Sequence, residues 1–171
     1  VPQDRERAFI ISHLGSKLDL NDTIAHKKKP RVFDIYDFIM TDYDSDAALR
    51  TEADTAQLNK TPSRDIMWDI NGIDPITSET TVRTITCNMD RTHTAALFKY
   101  DGIKGDTYRR LTLREAFLLM GFTKEEYLRA ASLGFSYRKI NKLIGNSIVV
   151  NVLVSIFEAM FEEKYKKDES K

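Results

Sequence analysis

Apolar positions are unevenly distributed along the chain, and three zones follow from them. Near the start, Ala8-Phe9-Ile10-Ile11-Ser12-His13 is a short apolar run flanked by charges. It predicts a strand over residues 8–14. From about Gly15 to about Thr107 the pattern is polar and irregular. Within it, Val32, Ile35, Tyr36 and Ile39 recur at helical spacing and predict a short amphipathic helix. Residues 53–65 are polar around a Thr-Pro-Ser turn and predict a loop. Thr80 to Thr86 is rich in β-branched residues and predicts a strand. Ala96-Leu97-Phe98-Lys99-Tyr100 predicts another, ended by Asp101-Gly102.

The third zone, from Tyr108, is helical and well punctuated. Thr112-Leu113-Arg114-Glu115 has the spacing of a capping box, and Thr123-Lys124-Glu125-Glu126 repeats it. Gly121 stops the first of these helices, and Ser136 can cap a third. The last helix is predicted to start at Gly145-Asn146-Ser147, with Val149, Val152, Leu153, Ile156, Phe157 and Met160 as its apolar stripe. Near Ile148–Val154 it is apolar on more than one face, which calls for cover on several sides. The charged tail from Glu162 is expected to fray.

Composition narrows the picture. The chain has 171 residues with 42% hydrophobic and 30% charged, ordinary for a globular protein. No run of about 18 uncharged apolar residues is present, so no membrane-spanning helix is expected. The polar start resembles neither a signal nor a transit peptide. A single cysteine, Cys87, excludes an internal disulfide framework and fits a reducing compartment. The 26 basic and 26 acidic side chains cancel. Counterion release favours basic proteins on nucleic acid, so nucleic-acid binding must rest on motifs or on basic residues gathered in space. The histidines His13, His26 and His93 have no metal-ligand spacing, and no metal is expected. Val1 is not a start methionine, and the chain reads as a piece of something longer.

Three segments carry chemistry. Val1-Pro2-Gln3-Asp4-Arg5-Glu6-Arg7 places Arg5 and Arg7 two residues apart, on one face of an extended segment. Their guanidinium forks suit phosphate or base oxygens, or they form a solvated charge run that blunts a strand edge. Arg110-Leu111-Thr112-Leu113-Arg114-Glu115, running on to Met120-Gly121-Phe122, reads as capping and ion pairing that hold a helix in place. Gly145-Asn146-Ser147 before a long helix reads either as a plain N-cap or as an anion site, since a helix N-terminus offers free N–H groups and partial positive charge.

Together, in this order and with a variable zone between the first two, these segments resemble the DNA cytosine-5 methyltransferase family. They match its Gln-x-Arg-x-Arg motif, its Arg-x-Leu-Thr-x-Arg-Glu motif and its closing Gly-Asn-Ser/Ala motif. The resemblance implies an α/β fold. This would be the C-terminal fragment of a Rossmann-like methyltransferase domain carrying a smaller mixed target recognition domain. Residues 1–14 would be a large-domain strand, 15–135 the recognition domain, and 136–171 a helix returning to the large domain. It implies transfer of a methyl group from S-adenosyl-L-methionine to carbon 5 of cytosine in double-stranded DNA. A flipped base would be needed, because the target carbon is buried in the stack. Arg7, supported by Arg5, would approach that cytosine. Gly145, Asn146 and Ser147 would serve the cofactor carboxylate. Lys27, Lys28, Lys29 and Arg31 form a basic loop that would contact phosphates, unless it is simply solvated. Arg83 and Thr84 resemble the short Thr-Leu-type recognition element. The family's glycine-rich, Pro-Cys and Glu-Asn-Val motifs are not in these residues. Cys87, in Thr86-Cys87-Asn88 with no preceding proline, is therefore expected to be an ordinary strand cysteine. The nucleophile would come from an N-terminal half, in the same chain or a separate subunit, and residues 1–171 alone would be inactive. The implied setting is a bacterial restriction–modification system, cytoplasmic and nucleoid-associated, with no membrane partner. The competing readings are a non-catalytic module that binds DNA or a partner chain, and a part of a related transfer-RNA methyltransferase.

Overall fold

The computed structural model describes residues 3–4, 7–12, 34–71, 82–87, 89 and 97–168. Its elements are β1 (Gln3–Asp4), a 3-10 turn (Ile35–Asp37), α1 (Ala47–Ala56), α2 (Pro62–Asn71), β2 (Val82–Arg83), β3 (Leu97–Gly102), β4 (Gly105–Arg110), α3 (Leu113–Leu119), α4 (Lys124–Ser132), α5 (Tyr137–Asn146) and α6 (Val150–Asp168). The result is a mixed helix-and-strand fold, compatible with an α/β methyltransferase-like fragment. The chain divides into two compact units, one of residues 1–5 and 33–147, the other of residues 6–32 and 148–171.

In the first unit, β3 and β4 form an antiparallel hairpin in full register from Leu97↔Arg110 to Gly102↔Gly105. Gly105 takes a left-handed φ of 71° at its tip, which glycine adopts without a Cβ penalty. The hairpin leans on α1. A Cβ on Gly102 would sit 2.6 Å from Asp54 Oδ1 and 2.9 Å from Gln57 Oε1, so only glycine allows this approach. Gln57 fastens the tip: its Nε2 donates to Gly105 O at 2.8 Å, and Lys104 N donates to its Oε1 at 3.0 Å. β1 pairs in parallel with β2, Gln3 opposite Val82 and Asp4 opposite Arg83.

The helices after β4 are built as their caps dictate. Both capping boxes form: Thr112 and Glu115 exchange side-chain-to-backbone bonds, and so do Thr123 and Glu126. Ser136 accepts from Lys139 N to cap α5. α3 packs against both α4 and α5. Leu119, Met120, Ile140 and Ile144 are buried there, with Phe117 and Tyr127 edge to face at 5.6 Å.

Several expectations change. Residues 53–65 are largely helical, as the end of α1 and the start of α2. Thr61-Pro62-Ser63 opens a helix: Thr61 O accepts from Arg64 N and Asp65 N, and Pro62 occupies the first helical position, where a missing N–H costs nothing. The helix expected around 32–39 is a single 3-10 turn, with Ile35 and Ile39 buried. Residues 8–12 are not a strand. They have no regular structure, Ile10 is 97% exposed, and no described strand bonds to them; an extended run becomes a strand only when a neighbour takes its N–H and C=O groups. The strand of 80–86 is reduced to Val82–Arg83, with 80–81 outside the described residues. Residues 13–14 and the three histidines also lie outside them.

In the second unit, α6 starts at Val150, not at Gly145. Val149, Ile156 and Ala159 are buried, whereas Val152, Val154, Phe157 and Phe161 are exposed. Residues 137–161 are long and apolar enough to cross a membrane by length and composition alone, although Arg138, Lys139, Lys142 and Glu158 leave no run of 18 uncharged residues there. Backbone helicity nonetheless breaks at Ser147–Val149 within that span.

Candidate functional site: the α5 clamp and the Arg109 hub

The closing motif sits at the C-terminal end of α5. Gly145 and Asn146 are its last residues, and Ser147 is its C-cap. Both the N–H and the hydroxyl of Ser147 donate to Ile144 O, at 3.1 and 2.9 Å. The expectation that this triplet caps the last helix is therefore corrected: Ile148 and Val149 separate it from α6. The inner side of α5 instead grips the segment that follows β2. Asn141 is buried, and its Nδ2 donates to Cys87 O at 2.8 Å. A Cβ on Gly145 would run into Cys87 N and come within 2.7 Å of both Cys87 Sγ and Thr86 C. The glycine is thus where helix and turn meet. The Cys87 thiol donates to Asn146 Oδ1 at 3.3 Å and, more distantly, to Lys142 O at 3.8 Å. Both contacts use the S–H as donor. Cys87 lies in a turn and is half-buried, not in a strand as expected.

This clamp brings the closing motif against the segment holding Arg83 and Thr84. Arg83 is in β2; Thr84 follows it, half-buried. β2 in turn bonds β1, so Gln3 and Asp4 of the first motif, the recognition element and the closing motif lie within one unit. Arg5, Lys27, Lys28, Lys29 and Arg31 lie outside the described residues. Arg7 is exposed, in a segment without regular structure.

The middle motif forms a second centre. Arg114 reaches Glu52 of α1 at 2.7 Å, and Arg110 Nε donates to Tyr137 Oη at 2.8 Å. This agrees with the reading of that motif as a device for holding helices together. Its hub is a residue that sequence reasoning missed. Arg109 is fully buried and makes a two-pronged pair with Glu115, both bonds 2.8 Å. Its Nε donates to Tyr43 Oη at 2.9 Å, and its remaining donors reach Arg110 O at 3.0 Å and Met40 O at 3.3 Å. Glu115 also accepts from Met40 N at 2.9 Å and Thr112 N at 2.8 Å. The rings of Phe98, Tyr43 and Tyr100 surround the guanidinium, the nearest centroid at 4.9 Å. Burial alone would lower the Arg109 pKa, but the Glu115 carboxylate outweighs it and holds it above its ordinary value. Burial, opposed by Arg109, raises the Tyr43 phenol. Burial and a 2.9 Å bond to Asp54 push Tyr100 up to about 12. The signal for Arg109 was its two-residue spacing from Thr107 and Leu111, both buried.

The model of the C-5 cytosine-specific DNA methylase family matches residues 1–162. Among curated proteins, the chain is 35% identical over 83 residues to the orphan methyltransferase M.SPRI of Bacillus phage SPR, covering 48% of this chain and 18% of that protein. It is 35% identical over 85 residues to the orphan methyltransferase M.Rho11sI of Bacillus phage rho11s, covering 50% and 16%. The matched part thus spans less than a fifth of either relative's length. No solved structure matches. With the family match running over nearly the whole chain, the chain belongs to the C-5 cytosine-specific DNA methylase family.

Proposed function

We propose that this chain is the target-recognition and site-completing part of an S-adenosyl-L-methionine-dependent DNA (cytosine-5-)-methyltransferase. The observation that carries this reading is the family match over residues 1–162. In it, residues 1–14 join a Rossmann-like large domain, residues 15–135 form the recognition domain, and residues 136–171 return to the large domain. The N-terminal half supplies the cysteine nucleophile. A cytoplasmic, nucleoid-associated location and a restriction–modification setting rest on the resemblance alone.

S-adenosyl-L-methionine supplies the methyl group when bound. Asn146 suits its carboxylate: the side chain is exposed, and with Oδ1 accepting from Cys87, Nδ2 is left as a donor. Ser147 fits less directly, since it must release Ile144 O before donating elsewhere. Gly145 serves by letting the α5 terminus rest on the Cys87 turn. Arg7, exposed, would place its guanidinium at the oxygen of the flipped cytosine and favour charge building on the ring during attack. Arg5 would support it. Lys27, Lys28, Lys29 and Arg31 would hold phosphates, and Arg83 and Thr84 would lie at the bases.

The test is tritiated-methyl transfer to duplex DNA by the complete protein. Arg7→Ala should lower turnover strongly, and residues 1–171 alone should transfer nothing. Exchanging residues 20–105 for those of a relative should move the methylated sequence, read by bisulfite sequencing, to that of the donor. Activity of the isolated chain that Cys87→Ala abolishes would overturn the reading.

A further inference from the structure

The chain is neutral as a whole, but its charge is segregated. Between Glu126 and Glu158 there is no Asp or Glu, while Arg129, Arg138, Lys139 and Lys142 fall in that span. Arg129 is accounted for: it lies in the last turn of α4, where a cation complements the helix dipole. The other three lie on α5. The buried residues of α5 are Ile140, Asn141 and Ile144. At about 100° per residue, Arg138, Lys139 and Lys142 cluster on the opposite side, and all three are exposed. Among the described residues none of them forms an ion pair. Lys139 rests its ammonium 3.8 Å from the Phe135 ring centroid, which holds it close to the surface.

Helix stability does not explain this face. α3 and α4 carry acidic residues in their first turns, as the dipole favours, whereas α5 carries none there and has Arg138 and Lys139 instead. Two cations at the positive end of a helix are electrostatically unfavourable. An external anion would offset that cost. Arg138 and Lys142 are one helical turn apart, about 6 Å along the axis, so they can meet successive phosphates of one strand.

We propose that the outer face of α5, through Arg138, Lys139 and Lys142, binds the phosphate backbone of duplex DNA. The proposal rests on the DNA-methyltransferase reading above. It adds a sequence-independent anchor on the helix whose inner side clamps the Cys87 turn.

The experiment compares three forms of the complete protein: wild type, the variant Arg138→Gln/Lys139→Gln/Lys142→Gln, and a charge-matched control, Lys60→Gln/Lys99→Gln/Lys124→Gln. Duplex affinity is measured from about 50 to about 200 mM salt, with a cognate and a one-base-altered duplex. Each phosphate contact contributes about 0.9 to the slope of log affinity against log salt. The α5 variant should lose about 2–3 from that slope. Over this range wild-type affinity should fall about 40-fold more than that of the variant. The ratio between the two duplexes should stay unchanged, and the control should keep the wild-type slope. An unchanged slope in the α5 variant, or an equal loss in the control, overturns the proposal while leaving the enzyme reading intact. A wild type that neither binds nor methylates duplex DNA removes both. Binding to phosphatidylserine vesicles that the α5 variant loses, with its DNA slope unchanged, would assign the face to a membrane surface and overturn the DNA assignment.

Discussion

Replacing Arg109 by Met should be among the most damaging single changes in the first unit. The guanidinium is fully buried, and so is the Glu115 carboxylate it holds with two 2.8 Å bonds. Removing one member of a buried pair strands the other charge, at about 3–5 kcal/mol. The stability of an ordinary domain is about 5–15 kcal/mol, so the fold would be left marginal. With a urea dependence of about 2 kcal/mol per molar, the unfolding midpoint should drop by about 2 M. Glu115→Leu should cost at least as much, because the amides of Met40 and Thr112 lose their acceptor along with Arg109. The double variant separates charge from hydrogen bonding. It leaves no uncompensated ion, but Tyr43 Oη, Met40 O and the two amides remain unpartnered, at about 1–3 kcal/mol for a buried group. It should therefore be destabilised by less than the sum of the singles, with a coupling of about 2–3 kcal/mol. Urea unfolding followed by circular dichroism reads all four forms. Losses below about 1 kcal/mol in either single variant, at an unchanged urea slope, would refute the argument that this pair organises the unit.

Three further outcomes follow from the same geometry. Tyr100 holds its proton up to about 12; below pH 10 both folded and unfolded chains keep it, and above pH 10 only the unfolded chain releases it. Stability should therefore fall between about pH 10 and 12 by about 2–3 kcal/mol, and Tyr100→Phe should flatten that part of the profile in thermal melts. Gly145→Ala should destabilise by about 1–3 kcal/mol through overpacking, and Cys87→Ala should not rescue it, because Cys87 N and Thr86 C are backbone; rescue in a urea titration would mean the clash is with the thiol alone. Asn146→Ala in the complete protein should weaken S-adenosyl-L-methionine binding more than DNA binding in calorimetry, and equal losses would point to a packing role only.

What is legible in the sequence is whatever is decided locally. Thr112 with Glu115, Thr123 with Glu126, and Ser136 each satisfy helix N–H groups through residues three apart, so spacing alone identifies them. The Thr-Leu-Arg-Glu helix is also legible as a holding device, and Arg114 does reach Glu52. Thr61-Pro62-Ser63 misleads because the same residues suit a turn and a helix start, and what distinguishes them is the burial of Ala53, Ala56 and Leu58 around them. Residues 8–12 have strand composition, yet a strand depends on a neighbour that local pattern does not specify. Arg109 is hidden for a different reason. A buried arginine is uncommon unless it is paired, and its partner, six residues away across a strand end and a helix cap, becomes visible only when β4 and α3 are placed.

The closing motif shows how one short sequence can meet two demands. Read as Gly-Asn-Ser before a helix, it looks like an anion site built on a helix N-terminus. In the structure it ends a helix instead, and the partial charge at a helix C-terminus is negative, which disfavours a carboxylate. Any attraction for the cofactor at this point must then come from the Asn146 amide and not from the α5 dipole. That amide is oriented by Cys87, whose S–H occupies Oδ1 and leaves Nδ2 to donate. Gly145 is what brings the Cys87 turn close enough for this contact, and Asn141 fixes the height of that turn through Cys87 O. Cys87, which has no place among the family's nucleophile motifs, thereby acquires a positioning role, since it links the segment after Arg83 and Thr84 to the residue proposed to face the cofactor.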